Sequence, residues 1–384
     1  MHLLHLSLEG YRNYRHLELD IPPGLVVLHG PNGQGKSNLL EAVYLLAIAR
    51  SQRAATEREL VHWEATQEEG YAILDARVER RAGPLHIRMG LHCSPVRGED
   101  AEGVNVQKEV RINGVPRRTW ELVGQLNAVL FSAEDIELVH GPPSGRRRYL
   151  DVLLSQVDRA YLRALQRYQR VVTQRNHLLR ALREGAGNRD ELTAWDASLC
   201  REGAIILERR LLALSRLAPM VQELHAHLMG EGGLLEMRYQ PSATLEEESS
   251  GSLGEALERG LAACRQRETV LAMTLVGPHR DDLSLTAGGV DLSRYASRGH
   301  ARLAALALRL AEARFLQERS GEEPVILLDD VLSELDPRRR ELVLEMVSGH
   351  EQVLVTATDL APLTPAALAR AHRFRVEGGT VMAE

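Results

Sequence analysis

The residues best suited to chemistry stand together near the N-terminus, in the stretch VVLHGPNGQGKSNLLEAV from Val26. Gly30, Gly35, Lys36 and Ser37 fit the spacing G-x-x-x-x-G-K-[ST]. Val26, Val27 and Leu28 precede it and Leu39, Leu40, Val43 and Tyr44 follow, the pattern of a strand, a turn and a helix. Gly30, Gly33 and Gly35 allow successive backbone N–H groups to face an anion. A helix opening near Lys36 adds its positive dipole end. The Lys36 ammonium would neutralise the outer phosphates of a nucleotide, and the Ser37 hydroxyl would ligate Mg²⁺. Asn32 in the loop and Asn38 after the serine join the expected nucleotide-binding set. A glycine-rich hairpin with a solvated lysine is the plain alternative. Lysine usage argues against it: Lys36 and Lys108 are the only lysines among 47 Lys and Arg residues. A chain that otherwise uses arginine keeps a slim ammonium where it must reach between phosphates.

A phosphate loop needs a carboxylate partner, and EEPVILLDDVLSELD supplies one. Val325 to Leu328 read as a short buried parallel strand ending in Asp329 and Asp330. Ligand chemistry in open α/β sheets gathers at the carboxyl ends of strands. Asp329 would hold Mg²⁺ through water, and Asp330 would orient or deprotonate the attacking water. Lys36, Asp329 and Asp330 are therefore the expected catalytic residues, with Ser37 and Asp329 at the metal. An acidic helix start is the competing reading of the two aspartates.

A third segment, YASRGHARLAALALRLAEARFLQERSG, places Leu303, Leu306, Ala307 and Leu310 on one helical face, with Ser297 and Gly299 at its start. That start suits an anion, or is an ordinary serine cap. It lies about one strand upstream of Asp329, too near to share the Lys36 phosphate within one subunit. A dimer follows, each subunit's Ser297 end facing the other's ATP.

Charge is segregated along the chain. Residues 141–183 hold ten arginines against Asp151 and Asp158, in a chain of net charge −6. Arg159, Arg163, Arg167 and Arg170 are spaced as a stripe on one helical face, with Leu162, Leu165, Val172 and Leu179 opposite. A solvated face paired with nearby acids is the usual meaning of such a run. Here the local excess lacks acids in sequence, so these four, with Arg146 and Arg147, are expected to contact DNA phosphates. No zinc spacing, helix-turn-helix or aromatic base-stacking signature is present, so binding should follow DNA shape rather than sequence.

The 384 residues suit two or three domains, or one large domain with an insertion. Apolar residues make up 44% but aromatics 4%, so the core must rest on Leu, Val, Ile and Ala. Cys93, Cys200 and Cys264 fit no metal or disulfide spacing, and no signal peptide or run of 18 apolar residues occurs, which suggests a cytoplasmic protein.

Residues 1–30 read as strands, a helix runs from the loop to about Ala49, and 71–115 alternate as an antiparallel sheet. Helical periodicity covers 144–183 and 190–229, 231–254 is loop-like, and a short helix spans 255–270 before strands near DLSLTAGGVDL. Helix 300–319, strand VILLDD, helix 338–347 and strand QVLVTAT close the chain. The order divides it into an ATPase lobe at 1–132, a mainly helical arm at 133–275 and a second ATPase part at 276–384.

In this order GPNGQGKS, ASRGHAR and LLDD with SELD resemble the ABC-type ATPase heads that include the SMC proteins. FSAEDIELVHGPPSGRRRYLD (131–151), GPHRDDLSL (277–285) and GYRNYRHLELDIPPGLVVLHGPNGQGKSNLLEAVYLLAIARS resemble the RecF family of bacterial DNA-repair proteins. Residues 185–265 carry little of the likeness. The resemblance implies an α/β ABC-type head with a mixed sheet, an antiparallel β subdomain and an inserted helical domain. It assigns Arg12 to the phosphates, Ser297, Gly299 and Arg302 to the signature, and Asp336 to the loop after the magnesium strand. It further implies ATP and Mg²⁺ as cofactors and an ATP-dependent homodimer, monomeric without nucleotide. The implied ligand is gapped, junction or double-stranded DNA without sequence preference, with RecR and RecO as partners in placing RecA and no membrane.

Three positions depart from the wider ABC pattern. Ser132 stands where many SMC heads carry glutamine, Thr358 where transporters have a switch histidine, and Asp330 where glutamate is usual. Each shortens or removes a group near the γ-phosphate, so a slow switch is expected rather than a motor. An SMC-type chromosome organiser would need a long coiled coil, which the arm is too short to form. A transporter subunit conflicts with the missing glutamine and histidine, and a phosphotransferase with the lack of an acceptor lid.

Overall fold

The computed structural model describes residues 1–64, 70–95, 104–230, 234–244 and 252–384. The chain divides into two compact units, Met1–Asp135 with Glu312–Glu384, and Ile136–Ala311.

The first unit opens with β1 (His2–Tyr11), β2 (Tyr14–Asp20) and β3 (Gly24–His29), then α1 (Lys36–Ile48). β4 (Tyr71–Glu79), β5 (Leu85–Pro95), β6 (Val104–Ile112) and β7 (Val115–Arg117) follow. β1 and β2 join these four in an antiparallel sheet of order β2-β1-β4-β5-β6-β7. After α2 (Thr119–Leu122) comes β8 (Ala128–Ser132).

The second unit holds α3 (Glu137–His140), α4 (Pro143–Val157), α5 (Arg159–Arg183) and α6 (Asp190–Met229), then β9 (Leu235–Gln240) and α7 (Leu253–Leu271). β10 (Asp282–Ala287), β11 (Val290–Asp291) and α8 (Leu292–Tyr295) lead into α9 (Arg298–Ser320), whose second half belongs to the first unit. That unit is completed by β12 (Val325–Asp329), α10 (Pro337–Val347), β13 (Gln352–Ala357), α11 (Pro365–Leu368), β14 (His372–Glu377) and β15 (Thr380–Ala383).

The sheet that bears the phosphate loop has the order β15-β14-β3-β13-β12-β8. All neighbours are parallel except the terminal hairpin β14–β15. Its middle strands are continuous apolar runs, as strands covered on both faces must be: Val325 to Leu328 and Val353 to Val355 are buried throughout. α1 lies between this sheet and the antiparallel one, touching β8, β12 and β13 as well as β4. Leu39 to Ile48 are accordingly buried all round rather than along one stripe.

In the second unit α5 and α6 pack along each other, and the 40 residues of α6 span about 60 Å at 1.5 Å per residue. No helix among the described residues is long and apolar enough to cross a membrane.

Three expectations change. The stretch 144–183 is two helices, because Asp158 stops α4 and caps α5, accepting from the N–H groups of Ala160 and Tyr161 at 2.9 Å each. Within 231–254 the chain forms β9, paired with β10 in register Asp282↔Gln240 to Ala287↔Leu235. The expected EEESSG loop lies outside the described residues. The strand so paired lies in the arm unit, and that compact unit runs to Ala311 rather than ending at 275.

Candidate functional site

The loop after β3 turns through Gly30, Gly33 and Gly35, all at positive φ. Two of these positions tolerate nothing larger. A Cβ on Gly30 would strike the Val376 carbonyl oxygen, and one on Gly35 would stand 2.5 Å from the Asn13 amide and 2.8 Å from the Tyr14 hydroxyl. Gly35 then caps α1 with no side chain over the helix's first N–H groups. Lys36 folds back over the loop, donating from Nζ to the carbonyls of Gly30 (2.6 Å) and Pro31 (2.8 Å). Burial lowers its pKa, while Asp330 and Asp329 pull it up.

Parallel pairing brings Asp329 opposite both Thr356 and Ser132. Its Oδ1 accepts from Ser37 Oγ (2.7 Å) and Thr356 Oγ1 (2.8 Å). Three hard oxygens thus converge at the strand ends, a donor set suited to Mg²⁺, which needs few protein ligands and takes the rest from water and phosphate. Among the described residues no cluster of three His, Cys, Asp or Glu offers an alternative metal site. Asp330 follows at φ 52°, its N–H bonded to Thr356 Oγ1 at 2.9 Å.

The turn after β1 braces the loop from outside. Asn13 Nδ2 donates to the Gln34 carbonyl (3.0 Å), Asn38 Nδ2 to Asn13 Oδ1 (2.8 Å), and the Tyr14 hydroxyl to the Gly35 carbonyl (2.9 Å). The β14–β15 turn grips it from the other side, where the Gly378 N–H meets Gln34 Oε1 at 2.7 Å. Arg12, at φ 52°, is held by the buried Glu41 through two bonds of 2.9 and 2.8 Å. Asn32 is exposed on the loop. Asp336 caps α10, accepting from Arg339 N–H at 3.0 Å, and that bond lowers its pKa.

Ser297 and Gly299 belong to the arm unit, exposed at the start of α9. Ser297 Oγ accepts from His300 N–H at 3.3 Å. Ser132 lies at the end of β8, its N–H bonded to Asp135 at 2.9 Å.

The structure adds Thr356, Asn13, Gln34 and Glu41 to the neighbourhood of the loop. Glu41 had a signal in the sequence: it is the one charge in the apolar run Leu39–Ile48. Thr356 had little, since any residue of β13 could have faced Asp329.

The arginine window separates into two kinds. Arg159, Arg163, Arg167 and Arg170 are exposed along α5, with Arg167 paired to Glu202 at 2.8 Å. Leu162 and Leu179 are buried opposite them, with Leu165 and Val172 half-buried. Arg146 does not reach solvent as expected. It is buried, with Nε and Nη2 on Asp282 (2.8 and 2.9 Å) and Nη1 on the Gly141 carbonyl (2.8 Å). A guanidinium buried and held in this way does not face DNA, and Arg146 is withdrawn from the DNA-binding set. Arg175, within the same window, is fully buried between Asp196 (2.8 Å) and Glu268 (2.5 Å).

Phosphate loop, parallel sheet and strand-end carboxylates together define an ABC-type ATPase head. Residues 2–371 match the RecF/RecN/SMC N-terminal domain family. Over its whole length the chain is 44% identical to the DNA replication and repair protein RecF of Chloroflexus aurantiacus, both chains covered completely. The chain belongs to the RecF family of DNA replication and repair proteins. The RecF of Herpetosiphon aurantiacus is 40% identical over 99% of each chain. A solved structure of the recombination mediator protein RecF with ATP, in the RecFOR pathway, superposes with TM-score 0.87 at 32% identity, over 100% of this chain and 97% of that one. The Pyrococcus furiosus Smc head shares the fold at TM-score 0.53 and 16% identity, over 100% and 95%.

Proposed function

We propose that this chain is an ATP-gated DNA-binding switch of recombinational repair. The observation that carries it is the meeting of Ser37, Asp329 and Thr356 within 2.8 Å at the strand ends beside Lys36. Lys36 would exchange two neutral carbonyls for phosphate oxygens, a stronger partner for an ammonium. Ser37 and Asp329 would hold Mg²⁺, which neutralises charge on the phosphates. Asp330 would orient the attacking water, and Gly30, Asn32, Gly33, Gly35 and Asn38 would line the phosphates. Arg12, fixed by Glu41, would stand at their edge, and Asp336 on the loop after the magnesium strand. Ser297 and Gly299 would reach the γ-phosphate of a partner subunit's ATP, so ATP and not ADP supports the dimer. The arginine stripe of α5 would contact the DNA backbone, and RecR and RecO would act with the dimer at gapped or junction DNA to load RecA. Slow hydrolysis, stimulated by DNA, would reset the switch.

Sedimentation of the full chain with ATP or ADP, with and without gapped DNA, tests this reading. Ser297→Arg should abolish ATP-dependent dimers while leaving monomer ATP binding nearly intact, and Asp330→Asn should trap the dimer. A Ser297→Arg protein that dimerises like the wild type would refute the shared site.

A further inference from the structure

The motif GPHRDDLSL from Gly277 takes no part in the phosphate-loop chemistry, yet it organises much of the arm's polar interior. Asp281 accepts from the Ser242 N–H (2.7 Å) and the Tyr239 hydroxyl (2.6 Å). Asp282 is taken by Arg146, and Asp151 by Arg210 Nη2 (2.7 Å) and the Tyr161 hydroxyl. These three carboxylates are therefore already engaged.

Two guanidinium groups beside them have no carboxylate partner among the described residues. Arg147, on α4, donates Nη1 to the Asp281 carbonyl at 2.8 Å. Arg280, in the motif itself, donates Nε to the Thr274 carbonyl at 2.8 Å. Each bond fixes one edge of a planar fork and uses one of its five donors. Arg280 is exposed and Arg147 half-buried, so the remaining donors are within reach of solvent. Arg147 is bonded to the carbonyl of Asp281, the residue that follows Arg280, so both cations are tied to one short stretch of chain. The like charge of Arg280 is also among the causes that lower the Arg147 pKa, after burial and Arg210. Fixed like charges in a partly desolvated place are relieved by an anion, and a planar fork matches phosphate.

We propose that Arg147 and Arg280 form a clamp for one backbone phosphodiester of DNA, separate from the α5 stripe. The inference rests on the DNA-binding reading for the source of the phosphate, while the anion site itself rests on the two arginines. A contact of this kind carries no sequence information; it positions the strand against the arm.

The test uses the full chain and a labelled gapped duplex, with affinity followed by fluorescence anisotropy over a salt series. Arg280→Gln should lower the slope of log affinity against log salt by about 0.9 and weaken unrelated sequences alike. Arg147→Gln should do the same. Because Arg280 is exposed and gives up a single hydrogen bond, its variant should stay folded, with a midpoint close to that of the wild type. It should carry the test even if Arg147→Gln is poorly folded. An unchanged slope in Arg280→Gln, with the wild type binding DNA, overturns the clamp and leaves the backbone to α5. A second arm adds inorganic phosphate at constant ionic strength and reads the melting temperature. If the wild type binds no DNA, the DNA reading falls. The anion site then survives only if phosphate stabilises the wild type and not Arg280→Gln; equal responses overturn it too.

Discussion

The two units put their charged residues to opposite uses. At the phosphate loop, Lys36 rests on two backbone carbonyls and Asp329 on two hydroxyls, partners that a more strongly charged ligand can displace. In the arm, Arg175 is closed in by Asp196, Glu268 and the Thr274 hydroxyl, and Arg210 by Asp151, the Tyr239 hydroxyl and the Pro278 carbonyl. Displacing those partners would strand a buried charge. The lesson is that a charged residue's readiness for function depends on how exchangeable its partners are, more than on how many it has.

The largest effect should come from opening the closed set. Arg175→Ala removes one member of a buried ion cluster and should cost about 3–5 kcal/mol in urea unfolding. A loss under about 1 kcal/mol would mean that the arm is not held by this cluster.

Acid should attack the same interior. His279 accepts from the Tyr168 hydroxyl at 2.7 Å, and burial, reinforced by Arg280, Arg147 and Arg175, lowers its pKa from 6.5 to about 4. The folded arm holds the neutral imidazole, so the unfolded chain takes up its proton first as pH falls. This contribution is complete above pH 6.5 and is lost as pH falls through 6.5 towards 4, by about 2–3 kcal/mol. In His279→Gln, the fall in unfolding free energy between these limits should shrink by that amount.

The open site should respond in ligand affinity while the fold persists. Lys36→Ala removes a charged donor and should weaken ATP binding by about 1.5–3 kcal/mol in calorimetric titration, with unfolding little changed. Smaller still, Thr356→Val deprives the Asp330 N–H and Asp329 of a shared hydroxyl and should cost about 1 kcal/mol, read as a loss of Mg²⁺-dependent affinity beyond that without metal. Equal losses with and without metal would place Thr356 in the fold alone.

The same contrast marks what the sequence made legible. The phosphate loop and strand ends were readable because glycine spacing, one retained lysine and an apolar run ending in acids each have a local cause. β9 was missed because Leu235–Gln240 follows a Gly-rich break, and only pairing with β10, more than 40 residues later, makes it a strand. Arg146 and Arg170 look alike in a charge count. What separates them is Asp282, 136 residues beyond Arg146, which no local pattern reveals. The braces on the loop from Asn13 and the Gly378 turn are long-range in the same way.

The backbone at Asp330 explains a choice of residue that chemistry alone leaves odd. At φ 52° the chain after β12 sits in a region where aspartate and asparagine are several-fold enriched over longer side chains. The backbone therefore favours the shorter carboxylate at this turn independently of the reaction. Restoring glutamate in search of faster turnover would set side-chain reach against local geometry, whereas asparagine changes the charge and leaves the turn undisturbed. Protein engineers should treat this position as conformationally conservative and chemically adjustable.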